Sequence, residues 1–259
     1  ELVENGRKKI LIVEDNTEFR TFLAEELSTD FEVMEAEDGL VGEEQALARY
    51  PDLIISDLMM PRRDGVEFCQ RMKNDIHTSH IPFILLTAKR TEDARIESYR
   101  AGADSYISKP FNLEMLRVRI NKLIEQRERR IETFHKTVSI TPESITTTSL
   151  DEEFVKKALK CVEDNMDNTE YSLDDLSTSL GLSKTHLNRK LAAIVNMRPL
   201  QFIRSVRLKR AAQLLADSQY NVNEIADMVG FNTLKYFNRY FKEEFGMTPT
   251  AYREKNRKS

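Results

Sequence analysis

Residues 10–16 read Ile-Leu-Ile-Val-Glu-Asp-Asn, four branched apolar side chains running straight into two carboxylates and an amide. An unbroken apolar run of this length, with no alternation, is the pattern of a strand buried on both faces of a parallel sheet. The pattern recurs as Leu53-Ile-Ile55 ahead of Asp57, Phe83-Ile-Leu-Leu86 ahead of Thr87, and Tyr106-Ile-Ser108 ahead of Lys109. Ligands of open α/β sheets bind beyond the carboxyl ends of the strands. Glu14, Asp15, Asp57, Thr87 and Lys109 are therefore expected at one edge: three carboxylates, a hydroxyl and an ammonium, a set suited to a divalent metal and a phosphoryl group.

Outward from these runs, strands are expected at 10–14, 31–35, 53–57, 82–87 and 105–109 and helices at 17–28, 40–49, 65–74, 92–101 and 112–127. Five β/α repeats imply a doubly wound, five-stranded parallel sheet. Gly39, Gly65 and Gly102 punctuate helix ends or turns. Residues 127–136, RERRIETFHK, extend the last helix, and the Ser/Thr-rich stretch 137–150 reads as a linker. The division expected is an α/β domain over 9–127, a linker over 128–150 and a helical domain over 151–255.

The helical part contains a repeat. Tyr171-SLDDLSTSLGLSKTHLNRKLAAIVNMRP aligns with Tyr220-NVNEIADMVGFNTLKYFNRYFKEEFGMTP. Gly181 matches Gly230, Leu187 matches Phe237, and Asn188-Arg189 matches Asn238-Arg239. Each copy starts with a capping box, Ser172 with Asp175 or Asn221 with Glu224. A short helix, a glycine free to take φ > 0 and a longer helix follow. That is helix-turn-helix, twice, with a joining helix over about 200–216 and a leading helix over 152–167. The fold class is α/β plus all-α.

Charge separates the halves. Residues 1–150 carry 21 Lys/Arg against 28 Asp/Glu, whereas residues 184–259 carry 15 against 6, within a chain of net charge −4. A basic end on an acidic chain points to a polyanion partner. No apolar run is long enough to span a membrane, and no secretory pattern stands at the start. Opening on Glu1, the chain reads as a fragment or processed form. Cys69 and Cys161 are too few and too far apart for a disulfide framework or a zinc site and read as reduced core thiols. His77, His80, His135 and His186 show no ligand spacing and read as exposed.

A carboxylate can attack phosphorus to give an acyl phosphate, provided charge on the transferred group is offset. Asp57 is the candidate nucleophile, Glu14 and Asp15 the candidates to share a metal with it, and Lys109 and Thr87 the candidates for phosphoryl oxygens. The bland alternative is that the Glu14-Asp15 pair merely caps helix 17–28. In the helical half, Phe237, Phe241 and Phe245 at spacing four read as a core stripe, leaving Lys235, Asn238 and Arg239 outward, with Tyr236 beside them. In the first copy Leu187 and Leu191 face inward and Thr185, Asn188 and Arg189 outward. Arg reads guanine and Asn reads adenine by paired hydrogen bonds.

ILIVEDN at 10–16, ISDLMMPRRDG at 55–65, LLTAK at 85–89 and AGADSYISKPF at 101–111 together resemble the receiver domain of bacterial response regulators, a flavodoxin-like fold. The resemblance implies that Asp57 is the phospho-acceptor and that Glu14, Asp15, Asp57 and the backbone carbonyl of Met59 bind Mg²⁺. It further implies that Thr87 and Lys109 contact the phosphoryl group, that Tyr106 moves with Thr87 on activation, and that Lys109-Pro110 is cis. NEIADMVGF at 223–231 and YFNRYFKEEFGMTPTAYR at 236–253 resemble the AraC/XylS regulators. That implies DNA contacts from Thr185, Asn188, Arg189, Leu234, Lys235, Asn238 and Arg239, with Lys184, Lys190, Arg207 and Arg210 as softer candidates. The chain departs from the usual layout in lacking a sugar-binding sensory half; the receiver takes its place.

The expected function is a two-component, phosphorylation-dependent transcription regulator that takes a phosphoryl group from a histidine kinase and binds double-stranded DNA. It is expected to dimerise on activation, with the charged 127–136 stretch lengthening the contact as a short coiled coil. A receiver joined to an AraC-type tail resembles the C-terminal end of hybrid two-component sensors of gut Bacteroidetes, which control polysaccharide-use genes. The kinase is then either upstream in the same polypeptide or separate. The chain is expected to be cytoplasmic, or the cytoplasmic part of an inner-membrane protein, with no membrane contact of its own. The alternatives are an Asp-dependent phosphatase or phosphotransferase, and a phospho-adaptor that binds no DNA. Haloacid-type phosphatases need a second aspartate two residues after the nucleophile, and here that position is Met59.

Overall fold

The computed structural model describes residues 6–88, 101–138, 142–146 and 148–256. They divide into two units, one running through Arg129 with residues 148–151 added, the other comprising residues 130–146 and those from Glu152 onward.

Unit 1 is a five-stranded parallel sheet in the order β2-β1-β3-β4-β5. The strands are β1 (Lys9–Val13), β2 (Glu32–Ala36), β3 (Leu53–Asp57), β4 (Phe83–Thr87) and β5 (Ser105–Ser108). This 2-1-3-4-5 order is that of doubly wound flavodoxin-like sheets, with the crevice at the β1/β3 switch point. Register places Val13 beside Ser56, Asp57 beside Leu86 and Thr87 beside Ser108, so the strand ends bearing the polar residues come level. β3 and β4 are buried at every position, as their unalternating sequences require. One core lies on each side of the sheet: Leu11, Val13, Ile54, Phe68, Phe83 and Leu85 with others on one, Ile10, Ile12, Leu23, Ile55, Ile84 and Leu116 with others on the other.

Helices α1 (Thr17–Ser28), α2 (Gly39–Arg49) and α3 (Gly65–Asn74) begin on side-chain caps from Asn16, Asp38 and Asp64. Asn16, not the Glu14-Asp15 pair, accepts from Phe19 N at 2.9 Å. The two carboxylates are thus released from the capping role that the sequence left open to them. The helix expected at 92–101 lies outside the described residues, apart from Ala101, which is in a turn. Gly102 takes φ +86°.

The helix expected at 112–127 and its charged extension form one element, α4 (Leu113–Lys136). Its last turns belong to unit 2. Phe134 is fully buried and stacks on Phe202 at 5.9 Å. Lys209, itself buried, donates to the carbonyls of His135 and Thr137 and lies 5.4 Å over the Phe134 ring. Of the apolar residues in the 127–136 stretch, for which a coiled-coil contact is expected, Phe134 is committed to this core and Ile131 is half-buried.

Unit 2 continues with α5 (Ser149–Glu163), α6 (Leu173–Ser179), α7 (Lys184–Val195), α8 (Pro199–Asp217), α9 (Val222–Met228), α10 (Leu234–Phe245) and α11 (Pro249–Asn256). Both predicted capping boxes are present, with Ser172 and Asp175, and Asn221 and Glu224, bonded reciprocally. Gly181 and Gly230 take φ +66° and +72°. Two helix-turn-helix pairs, α6–α7 and α9–α10, are joined by α8. Phe237 and Phe241 are fully buried, and Phe245 packs against their cluster with Tyr252.

Several residues differ from expectation. Cys69 is buried, but Cys161 is only half-buried. His77, His80 and His186 are half-buried, while His135 is exposed as expected, its Nε2 3.1 Å from Val195 O. No helix among the described residues is long and apolar enough to cross a membrane.

Candidate functional site

β1 ends at Val13, and the chain carries Glu14 inward and Asp15 outward. Glu14 and Asp57 are buried, Asp15 is exposed, and oxygens of all three lie within 4.8 Å of one another. Lys109 closes the cluster, its Nζ 2.7 Å from Glu14 Oε2 and 2.6 Å from Asp57 Oδ1. Its own amide donates to Thr87 O at 2.6 Å, which ties the lysine to the end of β4, and the Lys109-Pro110 peptide is cis. Asp57 Oδ2 accepts from Met59 N at 3.1 Å. Thr87 is buried at the same strand edge. The five polar residues of the opening argument are thus neighbours or share one edge.

Electrostatics follow from this crowding. Burial, aided by the charge of Asp57, pushes the Glu14 carboxyl above its ordinary value, against the opposing hydrogen bond from Lys109. Burial pulls Lys109 down, but the carboxylates of Asp57 and Glu14 outweigh it and hold the ammonium above its ordinary value. One cation therefore serves two buried carboxylates, and a third carboxylate adds further negative charge. An open cleft of about 590 Å³, lined by Phe19, Phe22, Phe111 and Leu113, adjoins Glu14 and Lys109.

Sequence reasoning missed three supports. Arg20 donates to Glu14 O at 2.6 Å, and Lys109 Nζ lies 4.6 Å over the Phe19 ring. Gly65 is the third: a Cβ there would stand 2.1 Å from Asp57 O. The motif showed a glycine, but only the chain reversal that brings it against β3 shows why it is required. Tyr106 is half-buried and packs against the core on one side of the sheet. Met59 is exposed.

In unit 2 the expected reading positions are accessible. Thr185, Arg189, Leu234, Lys235 and Arg239 are exposed, and Asn188 and Asn238 half-buried, while Leu187, Leu191, Phe237 and Phe241 fill the interior. Asn188 Nδ2 donates to Lys184 O, and Lys184 pairs with Asp174 at 2.6 Å. Arg210 is exposed and bonded to Gln213. Two of the softer candidates are corrected. Arg207 is buried and donates to the carbonyls of Gly230, Asn165 and Asn168; Lys190 is buried, 5.9 Å from the Phe154 ring. Both hold backbone or core together, a use that charge counting cannot separate from a polyanion-facing one.

Residues 10–121 match the family model of the response regulator receiver domain, and residues 176–255 match that of a helix-turn-helix domain. The chain is 42% identical over 254 residues to histidine kinase P4 of Formosa agariphila, covering 98% of this chain and 18% of that protein. It is 39% identical over 120 residues to the phosphate regulon transcriptional regulatory protein PhoB of Pseudomonas aeruginosa, covering 46% of this chain and 52% of that protein. A solved receiver domain of a signal transduction histidine kinase from Syntrophus aciditrophicus is similar at 32% identity, covering 47% of this chain and 93% of that one, TM-score 0.45. The chain thus spans about a fifth of the first of these relatives and half of the second. The pairing of domains is regulatory rather than enzymatic. Residues 10–121 are thus a response regulator receiver domain and residues 176–255 an AraC-type helix-turn-helix domain.

Proposed function

We propose that Asp57 accepts a phosphoryl group from a histidine kinase and that this controls sequence-specific binding of double-stranded DNA. The observation that carries the reading is the buried Asp57, flanked by Glu14, Asp15 and Lys109, in a chain that also holds two helix-turn-helix pairs. Receiver domains bind Mg²⁺ through an acidic pocket, and the residues present here fit that ion: three converging carboxylates are the hard oxygen donors it prefers. Glu14, Asp15, Asp57 and the Met59 carbonyl would hold it. When bound, it would neutralise charge on the transferred phosphoryl oxygens. The chain's own groups do the rest. Asp57 Oδ attacks the phosphorus of the kinase's phosphohistidine as the P–N bond breaks and the kinase imidazole leaves with the bonding pair; Lys109 turns its ammonium toward the transferred phosphoryl oxygens, and Thr87 donates its hydroxyl to another. Tyr106 follows Thr87.

Base and phosphate contacts are assigned to Thr185, Asn188 and Arg189 on α7 and to Leu234, Lys235, Asn238 and Arg239 on α10. Recognition helices of this motif enter the major groove, with successive grooves about 34 Å apart on one DNA face. Further parts of the proposal are a homodimer on activation, a cytoplasmic setting, and domain limits of 9–127, 128–150 and 151–255, with residues 130–136 of the middle segment packed into the core of the helical domain. The similarity to histidine kinase P4 supports a kinase in the same polypeptide; its place upstream and polysaccharide-use genes as targets are proposed on the resemblance to hybrid two-component sensors.

The test is to treat the chain with acetyl phosphate and Mg²⁺, then measure phosphate on Asp57, mass in solution, and affinity for duplexes selected from a random pool. Phosphate lost in Asp57→Asn and tighter binding to a selected duplex are expected. Phosphate incorporation unchanged in Asp57→Asn, or no selected duplex, refutes the corresponding half.

A further inference from the structure

The reading helix α10 carries a ring stack that its counterpart α7 lacks. The Arg239 guanidinium lies 4.4 Å from the centroid of Tyr240 and 5.4 Å from that of Tyr236, and the two rings stack on each other at 6.4 Å. Tyr236, Tyr240 and Glu243 stand at i−3, i+1 and i+4 of Arg239, and its Nε is 3.6 Å from a Glu243 oxygen. A second guanidinium, Arg204 from the joining helix α8, lies 3.9 Å from the Tyr240 centroid. Beside it Ser205 donates to Glu244 at 2.6 Å. Tyr236 and Tyr240 border an open cleft of about 320 Å³, so the Tyr240 ring is held by cations as well as by packing. In the first copy the matching positions are His186 and Lys190, the latter buried.

We propose that Tyr240, with Tyr236 and Arg204, is a positioning device that pre-orients Arg239 for base reading. The proposal rests on the DNA-reading role assigned to α10 above. An exposed arginine gives up considerable rotamer freedom when it binds a base edge. Rings that already hold its guanidinium plane remove part of that cost before contact. Such cation–ring contacts at exposed sites correspond to about a two- to fivefold change in an equilibrium. Because a bidentate Arg–guanine pair is directional, the gain falls on discrimination at one base pair and not on affinity for DNA at large. Arg204 extends the device to α8: its charge engages the Tyr240 face and fixes the ring from a helix outside the reading pair.

The experiment selects duplexes from a random pool with the full chain, then measures base preference at each position for wild type, Arg239→Ala, Tyr240→Phe, Tyr240→Leu and Arg204→Met. Tyr240→Leu should lose about two- to fivefold of the preference at the base pair where Arg239→Ala loses it. It should add nothing in the Arg239→Ala background. Tyr240→Phe, which keeps the ring, should retain the preference, and Arg204→Met should lose part of it. Full preference in both Tyr240→Leu and Arg204→Met, or a uniform weakening across all sequences, overturns the positioning role. Should Tyr240→Leu melt early, the Arg204→Met and Tyr240→Phe pair decides alone. Selection of no duplex by the wild-type chain refutes the DNA-reading role and this proposal with it; a selected duplex indifferent to the Tyr240 and Arg204 variants refutes only the second.

Discussion

Truncating Phe134 should destabilise the DNA-binding unit although the residue lies in a stretch that reads as a charged helical extension. Its ring is fully buried, stacks on Phe202 at 5.9 Å and lies beneath Lys209 Nζ. Phe134→Ala removes the ring and leaves a cavity against Phe202, a change that costs about 3–5 kcal/mol in packed cores. It also strips the ring from beside a buried lysine, whose burial already pulls its pKa down. For a domain of this size that is a fall in melting temperature of about 10–20 °C. Scanning calorimetry of the full chain measures it, with Mg²⁺ marking which transition belongs to the receiver. The expected result is a shift in the helical unit's transition with the receiver's transition in place. A shift below about 1 kcal/mol, within the range of ordinary surface substitutions, would refute the assignment of residues 130–136 to the helical core.

Gly65→Ala places a methyl 2.1 Å from Asp57 O; the backbone must move, a strain of about 1–3 kcal/mol, and acetyl-phosphate labelling of Asp57 should fall, so unchanged labelling would contradict the close approach. The Cys69 thiol is pushed up to about 12, by burial first and by Asp104 second, against Lys73. Because the neutral thiol is favoured in the fold, its stabilisation is complete below about pH 9 and is lost as pH rises toward 12; a thiol reagent at pH 8 should label Cys161 in the native chain and Cys69 only after unfolding. Glu14 is held above its ordinary value by burial and by Asp57, so protons compete there with a divalent cation. The melting-temperature gain from Mg²⁺ should be smaller at pH 5 than at pH 7, and an equal gain at both would argue against Glu14 as a ligand.

Much of the fold was legible because its signals are local. The unalternating runs at 10–13 and 83–86 name buried parallel strands, and Ser172 with Asp175 names a helix start, without reference to anything distant. Asp57 and Lys109 were legible as partners because strand ends in such a sheet share an edge by topology. What stayed hidden depends on contacts between remote segments. Arg207 and Lys190 look like polyanion contacts until α8 and α7 are packed and their charges turn inward. Phe134 looks like one aromatic among charges until Phe202 arrives opposite it. Arg204 and Tyr240, 36 positions apart by their numbering, give no periodic signal linking them.

The place where the two units divide also has an evolutionary consequence. The family models end at 121 and resume at 176, which invites a recombination crossover anywhere in the interval. Yet Lys209 donates to the carbonyls of His135 and Thr137, and Phe134 stacks on Phe202. A crossover after Lys136 would deliver a helical module without its own lid, whereas one near Arg129 would carry the lid along. Viable chimaeras of receivers with this output module should therefore share a junction inside α4, and lineages that exchanged receivers should show ancestry changing within that helix rather than in the Ser/Thr-rich stretch beyond it.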